Sequence, residues 1–197
     1  MNTKNIMMNK HVIIVDADYI DHVAFNLTVN FERMLERRIP QADLARWVEC
    51  IALDGGVRES EEQQETTVVL IHEKEVDRLR NFTPADYEKE LNEKAFRSGL
   101  GEFVIHAVPV EDITNKTNLL LDTIDLMVDQ KEVKRIMVVP NAEEGGVYDQ
   151  VRHHLKSVND DKHITVFAMQ PMPGGNFRQE ILGYSLMQAL GIRGEEI

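Results

Sequence analysis

Cysteine is nearly absent: the 197 residues contain one, Cys50. A single thiol excludes an intrachain disulfide and any paired CxxC zinc ligand set, and points to an intracellular, cytoplasmic setting. Basic residues are few. Lys and Arg total 22 against 34 Asp and Glu, a formal net charge of -12. Duplex binders displace counterions with a basic stripe, so this balance argues against tight, sequence-independent nucleic-acid binding. No apolar run approaches the roughly 20 residues of a membrane-spanning helix. The opening MNTKNIMMNK has no apolar h-region. It reads as a loose leader over residues 1–10 rather than a signal peptide. A Walker lysine, a GxGxxG fingerprint and a nucleophile elbow are missing as well.

What is present is alternation. Apolar, β-branched runs at 11–17, 66–72, 102–110, 135–140 and 163–169 read as strands. The first, HVIIVDA, is apolar on both faces, as a central parallel strand is. Helical spacing joins Ile20, Val23, Leu27, Phe31, Met34 and Leu35 over 19–38, with Pro40 as the stop. A second helix is expected over 42–53, ended by Gly55-Gly56. FTPADYEKELNEKAF, NKTNLLLDTIDLMVDQ, EGGVYDQVRHHLKSV and NFRQEILGYSLMQALG read as further helices. The segment 54–65 is polar and acidic and reads as a loop. The expected fold is one three-layer, Rossmann-like α/β domain spanning 1–197. Its central sheet is mainly parallel, with five strands in the order 3-2-1-4-5.

Open parallel sheets bind ligands beyond the carboxyl ends of the strands, where strand order reverses. Here that point lies between the first and fourth strands. Asp16 and Asp18 end the first strand, and PNAEEGG ends the fourth. The topology therefore draws Asp16, Asp18, Glu143 and Glu144 toward one crevice.

Each acid has a plainer role to weigh. Asp18 or Asp16 suits a helix N-cap. Asp122, Asp125 and Asp129 suit a solvated stripe opposite Leu120, Ile124 and Met127. Glu143-Glu144 suit a helix start. Adjacent His153 and His154 cannot share a helical face, which disfavours a zinc role. PGGN at 173–176 reads as a turn, and Cys50 as a core residue on an apolar helix face.

The first strand ending in Asp16, followed at once by two helices, resembles the PIN-like nucleases, especially their NYN branch. The likeness returns at TNLLLDTIDLMVDQKEVKRIMVVPNAEEGGVYDQV, where a helix bearing an aspartate precedes a strand and an acidic turn. The order of elements agrees over about residues 11–170. The resemblance implies a divalent-metal-dependent phosphodiesterase or ribonuclease using Mg²⁺ or Mn²⁺. It carries metal ligation to Asp16, Asp122 and Glu144, and catalytic roles to Asp16, Asp18 and Glu143, with RNA or another phosphodiester as substrate. Such ions prefer oxygen ligands and activate bound water. The acidic turn lacks the family's Ser-Gly and uses glutamates in place of aspartates. Two alternatives therefore stay open. One is a non-catalytic Rossmann-like interaction or dimerisation module, for which a homodimer is the expected assembly. The other is a haloacid-dehalogenase-like phosphatase, which resembles the chain only in Asp16-x-Asp18.

Overall fold

In the computed structural model, residues 9–197 are described; the first eight positions of the expected leader lie outside them. Strand β1 (Asn9–Asp16) runs straight into helix α1 (Ala17–Leu35). A two-residue strand β2 (Ala42–Asp43) precedes α2 (Leu44–Asp54), and β3 (Gln64–Glu73) follows. Next come β4 (Phe82–Thr83), a single π-helical turn at Tyr87–Leu91, β5 (Lys94–Ser98) and β6 (Gly101–Val110). The remainder is α3 (Lys116–Val128), β7 (Val133–Val139), α4 (Val147–Leu155), β8 (His163–Ala168), β9 (Arg178–Ile181) and α5 (Leu182–Ala189).

The sheet order is β5-β6-β3-β1-β7-β8-β9. Only β5 is antiparallel; the other pairings are parallel. The sheet therefore has seven strands rather than the expected five, and the five expected ones form its middle in the expected order. β1 is central because both its faces are apolar. Ile13 and Val15 enter one core with α1, α2 and α5, while Val12 and Ile14 enter the other with α3 and α4. A strand apolar on both faces leaves least apolar surface exposed at the middle of such a sheet.

Both extra strands were expected to be helical. In FTPADYEKELNEKAF the helical signal is spent in one turn. Asp86 caps it by accepting the amides of Glu88 and Lys89, and Glu93 then reverses the chain at φ 61°. Lys94–Ser98 pairs with β6, where Phe96 stacks on Phe103 with centroids 4.9 Å apart. Ring stacking and edge pairing outweigh the helix propensity of so short a segment. Likewise NFRQE does not open the last helix: Arg178–Ile181 joins β8 as the outer strand.

Other boundaries also differ. α1 stops at Leu35, where Glu36 turns left-handed at φ 54°, several residues before Pro40. α2 ends at Gly55 as expected, the Gly55 amide returning to the Ile51 carbonyl and the Gly56 amide to the Leu53 carbonyl. Cys50 is half-buried beside the α2–α5 groove rather than in the core. Trp47 joins those two helices, its indole N–H donating to Ser185 Oγ at 3.1 Å. Among the described residues no helix is long and apolar enough to cross a membrane.

Candidate functional site

The site grows from the abrupt change at Asp16. As the last residue of β1 and the N-cap of α1, it accepts the Tyr19 amide on Oδ1 at 3.0 Å. The cap is thus Asp16, leaving Asp18 free to point elsewhere. Asp18 Oδ2 accepts the Glu73 amide at the end of β3 at 2.8 Å, tying α1 to the neighbouring strand.

Between the two aspartates lies an ammonium. Lys116 Nζ is 3.2 Å from Asp16 Oδ1, 3.0 Å from Asp18 Oδ2 and 3.8 Å from Glu73 Oε1. The contact is largely enclosed, with side-chain exposures of 19% for Lys116, 6% for Asp16 and 21% for Asp18. Lys116 is the first residue of α3, behind the cap Asn115. That end of a helix carries partial positive charge, so a cation there is unfavourable unless acids compensate it. Here the acids of β1 and α1 do so.

The electrostatics follow from burial. Enclosure pushes the Asp16 carboxyl above the usual carboxylate range, and Lys116 and the Tyr19 amide offset this only in part. For Lys116, enclosure works to lower the pKa. The charges and hydrogen bonds of Asp16 and Asp18 outweigh it, and the ammonium titrates above an ordinary lysine. The two partners therefore shift the same way. Asp16 is the deeper of the two, so its desolvation dominates, whereas Lys116 faces two carboxylates at once.

A second contact bridges the crevice. The Tyr19 hydroxyl donates to Glu143 Oε2, joining the first turn of α1 to the β7–α4 loop. That loop is shaped by Asn141, whose Oδ1 accepts the amides of Glu143 and Glu144 at 3.1 and 3.2 Å. Burial, then the neighbouring Glu143, holds the Tyr19 hydroxyl well above its ordinary pKa. Beside it lies an open crevice of ≈ 560 Å³, lined by Glu73, Lys116, Asn118, Glu144 and Gln150 among others.

Of the residues expected at the site, Asp16, Asp18 and Glu143 surround this region, and Glu144 lines the crevice. Asp122 does not join them. It is exposed on α3, about 9 Å along the helix axis from Lys116 at 1.5 Å per residue. Asp125 pairs with His154 Nδ1 at 2.9 Å, so part of the acidic stripe serves to bind α3 to α4. Among the described residues no group of three or more His, Cys, Asp or Glu could hold a metal ion. Between Asp16 and Asp18 stands the Lys116 ammonium.

Lys116, Tyr19 and Glu73 were not singled out from the sequence. A signal for Lys116 exists in retrospect. It is a lysine at the unfavourable end of a helix that follows a strand, where topology brings it to the crevice.

Neither curated proteins nor solved structures give a match to the chain. A family pattern covers residues 5–197, and by it the chain belongs to the Family of unknown function (DUF6621).

Proposed function

We propose that the chain is a non-catalytic, Rossmann-like interaction module on a PIN/NYN-like layout, in which Lys116 stands where a divalent cation would act. The observation that carries this reading is the pair of contacts from one ammonium to Asp16 and Asp18, at 3.2 and 3.0 Å. A lysine on a helix neutralises the acids but offers no open coordination site for water or a phosphoryl oxygen, which metal-assisted hydrolysis needs. The phosphatase alternative is weakened by the same contacts. A nucleophilic aspartate must be approached by phosphorus, yet Asp16 is 4% exposed and its Oδ1 already accepts two donors.

The interaction surface is the crevice itself. Its Glu73, Asn118, Glu144 and Gln150 side chains suit hydrogen bonding to a polar or basic partner surface. A calorimetric titration with Mn²⁺, paired with an assay on single-stranded RNA, tests the reading. Neither measurable heat at micromolar Mn²⁺ nor cleavage is expected. Saturable Mn²⁺ binding accompanied by cleavage that Asp16→Asn abolishes would establish the nuclease instead.

A further inference from the structure

The opposite end of the same three strands carries a second polar assembly. Thr66 on β3, His11 on β1 and Arg135 on β7 stand side by side in register. They share the sheet face of Ile13, Val68 and Met137. Thr66 is 1% exposed and His11 7%. Each of the three has a buried polar atom without a protein partner: Thr66 Oγ1, His11 Nδ1 and Arg135 Nε. One such atom in a core is uncommon, and three neighbours in one row point to something held between them.

The tautomer of His11 can be worked out from its neighbours. Gln64 Nε2 donates to the Arg58 carbonyl at 2.7 Å, so its Oε1 is the atom facing His11 Nε2 at 3.2 Å. His11 therefore carries its proton on Nε2, and neutral Nδ1 is an acceptor. A water suits the neutral row, since it can donate to Nδ1 while accepting from Thr66 and Arg135. Protonation of Nδ1 changes this. All three atoms become donors, and a water cannot accept from three while placing its own hydrogens among them.

The guanidinium is held in place for that role. Arg135 Nη1 donates to the Gly55 carbonyl at 2.8 Å. A Cβ on Gly56, whose φ is +96°, would lie 2.5 Å from the same nitrogen. The surrounding charge is cationic. Arg58 and Arg178 both act on Arg135, and Arg135 acts on His11. Of the carboxylates nearby, Glu180 pairs with Arg178 at 3.1 Å, and burial together with Glu180 raises the Asp54 carboxyl against the weaker opposing pull of Arg58. His163 occupies the register position beyond Arg135 and is exposed.

We propose that the Thr66–His11–Arg135 row is a proton-coupled site for a halide-sized anion. Uptake of one anion accompanies uptake of one proton on His11 Nδ1, so the pair enters with no net change of charge. Burial, followed in smaller measure by Arg135, lowers the His11 pKa in the empty site, opposing the raising effect of Gln64. A bound anion works against that lowering, so anion affinity rises as pH falls through the histidine range.

The test is an NMR titration of the imidazoles in sodium chloride and in sodium gluconate at equal ionic strength. Gluconate is too large for the row and serves as the control. His11 is expected to titrate at least about half a unit higher in chloride. That corresponds to a roughly threefold preference of the protonated row for the ion. Thr66→Val removes one donor while keeping shape, and should abolish the chloride difference. Equal His11 titration in both salts overturns the proposal and leaves a structural water only. A chloride difference that persists undiminished in Thr66→Val also overturns it, because the ion then sits elsewhere. Should Thr66→Val fail to fold, the wild-type comparison decides alone.

Discussion

The carboxyl and amino ends of β1, β3 and β7 both bury polar groups, but they satisfy them differently. At the carboxyl end Asp16, Asp18 and Glu73 meet the ammonium of Lys116, and Asp16 and Asp18 also bind backbone amides. At the amino end Thr66, His11 and Arg135 keep three buried atoms without protein partners. A closed assembly of opposite charges is self-sufficient and resists an added ion. An open assembly whose atoms all become donors once His11 is protonated invites one. The difference lies in which side chain the neighbouring helix or strand supplies: Lys116 arrives at the acids from α3, whereas among the described residues no carboxylate forms an ion pair with Arg135.

The largest expected effect breaks the closed end. Lys116→Met leaves two enclosed carboxylates uncompensated, and should cost about 3 kcal/mol of stability at pH 7 by urea unfolding. The pH dependence sharpens the point. Asp16 titrates above its unfolded value, so its contribution to folding is most favourable when protonated and falls as pH rises through its folded pKa. Removing Lys116 takes away the charge that most opposes that rise. The variant should therefore lose stability more steeply than the wild type between pH 4 and pH 7. Lys116 contributes in the opposite region. Its pKa is raised, so its pairing is fully present below the unfolded lysine value and is lost only as pH climbs through the folded one.

A smaller effect is expected from Asp16→Asn. Asparagine caps a helix about as well as aspartate, and the change removes the charge whose burial is unfavourable. Lys116 keeps Asp18 at 3.0 Å. The loss should be under about 1 kcal/mol, much less than for Lys116→Met, although both delete one member of the same ion pair. Equal losses would mean that the Asp16 contact, not the enclosed negative charge, dominates this end. The smallest effect belongs to the open end. Thr66→Val removes a hydroxyl that has no protein partner, and in gluconate should lie within about 0.5 kcal/mol of the wild type.

The middle of the fold was legible because it rests on burial. The two-faced apolarity of Val12-Ile13-Ile14-Val15 marked the central strand, and the helix-strand alternation set the order of its neighbours. The edges were not, because edge strands need less apolar sequence. Lys94–Ser98 and Arg178–Ile181 read as helix on local composition, and pairing decided otherwise. At the site, placement was legible where the residue ended a strand, as with Asp16. Asp122 was drawn in by family likeness alone, and its exposed position on α3 separates it from the cluster. Lys116 was overlooked because its partners lie about 100 residues away in sequence, at Asp16 and Asp18. Spacing along the chain says nothing of such a contact; only the topology brings it into view.

The central claim is that an ammonium, not a metal ion, neutralises Asp16 and Asp18. A crystal soaked in millimolar Mn²⁺ and measured at the manganese absorption edge tests it directly. The account predicts no anomalous peak between these carboxylates, with Lys116 Nζ still in contact with both. A manganese peak within coordinating distance of Asp16, with the Lys116 side chain turned away, would contradict it.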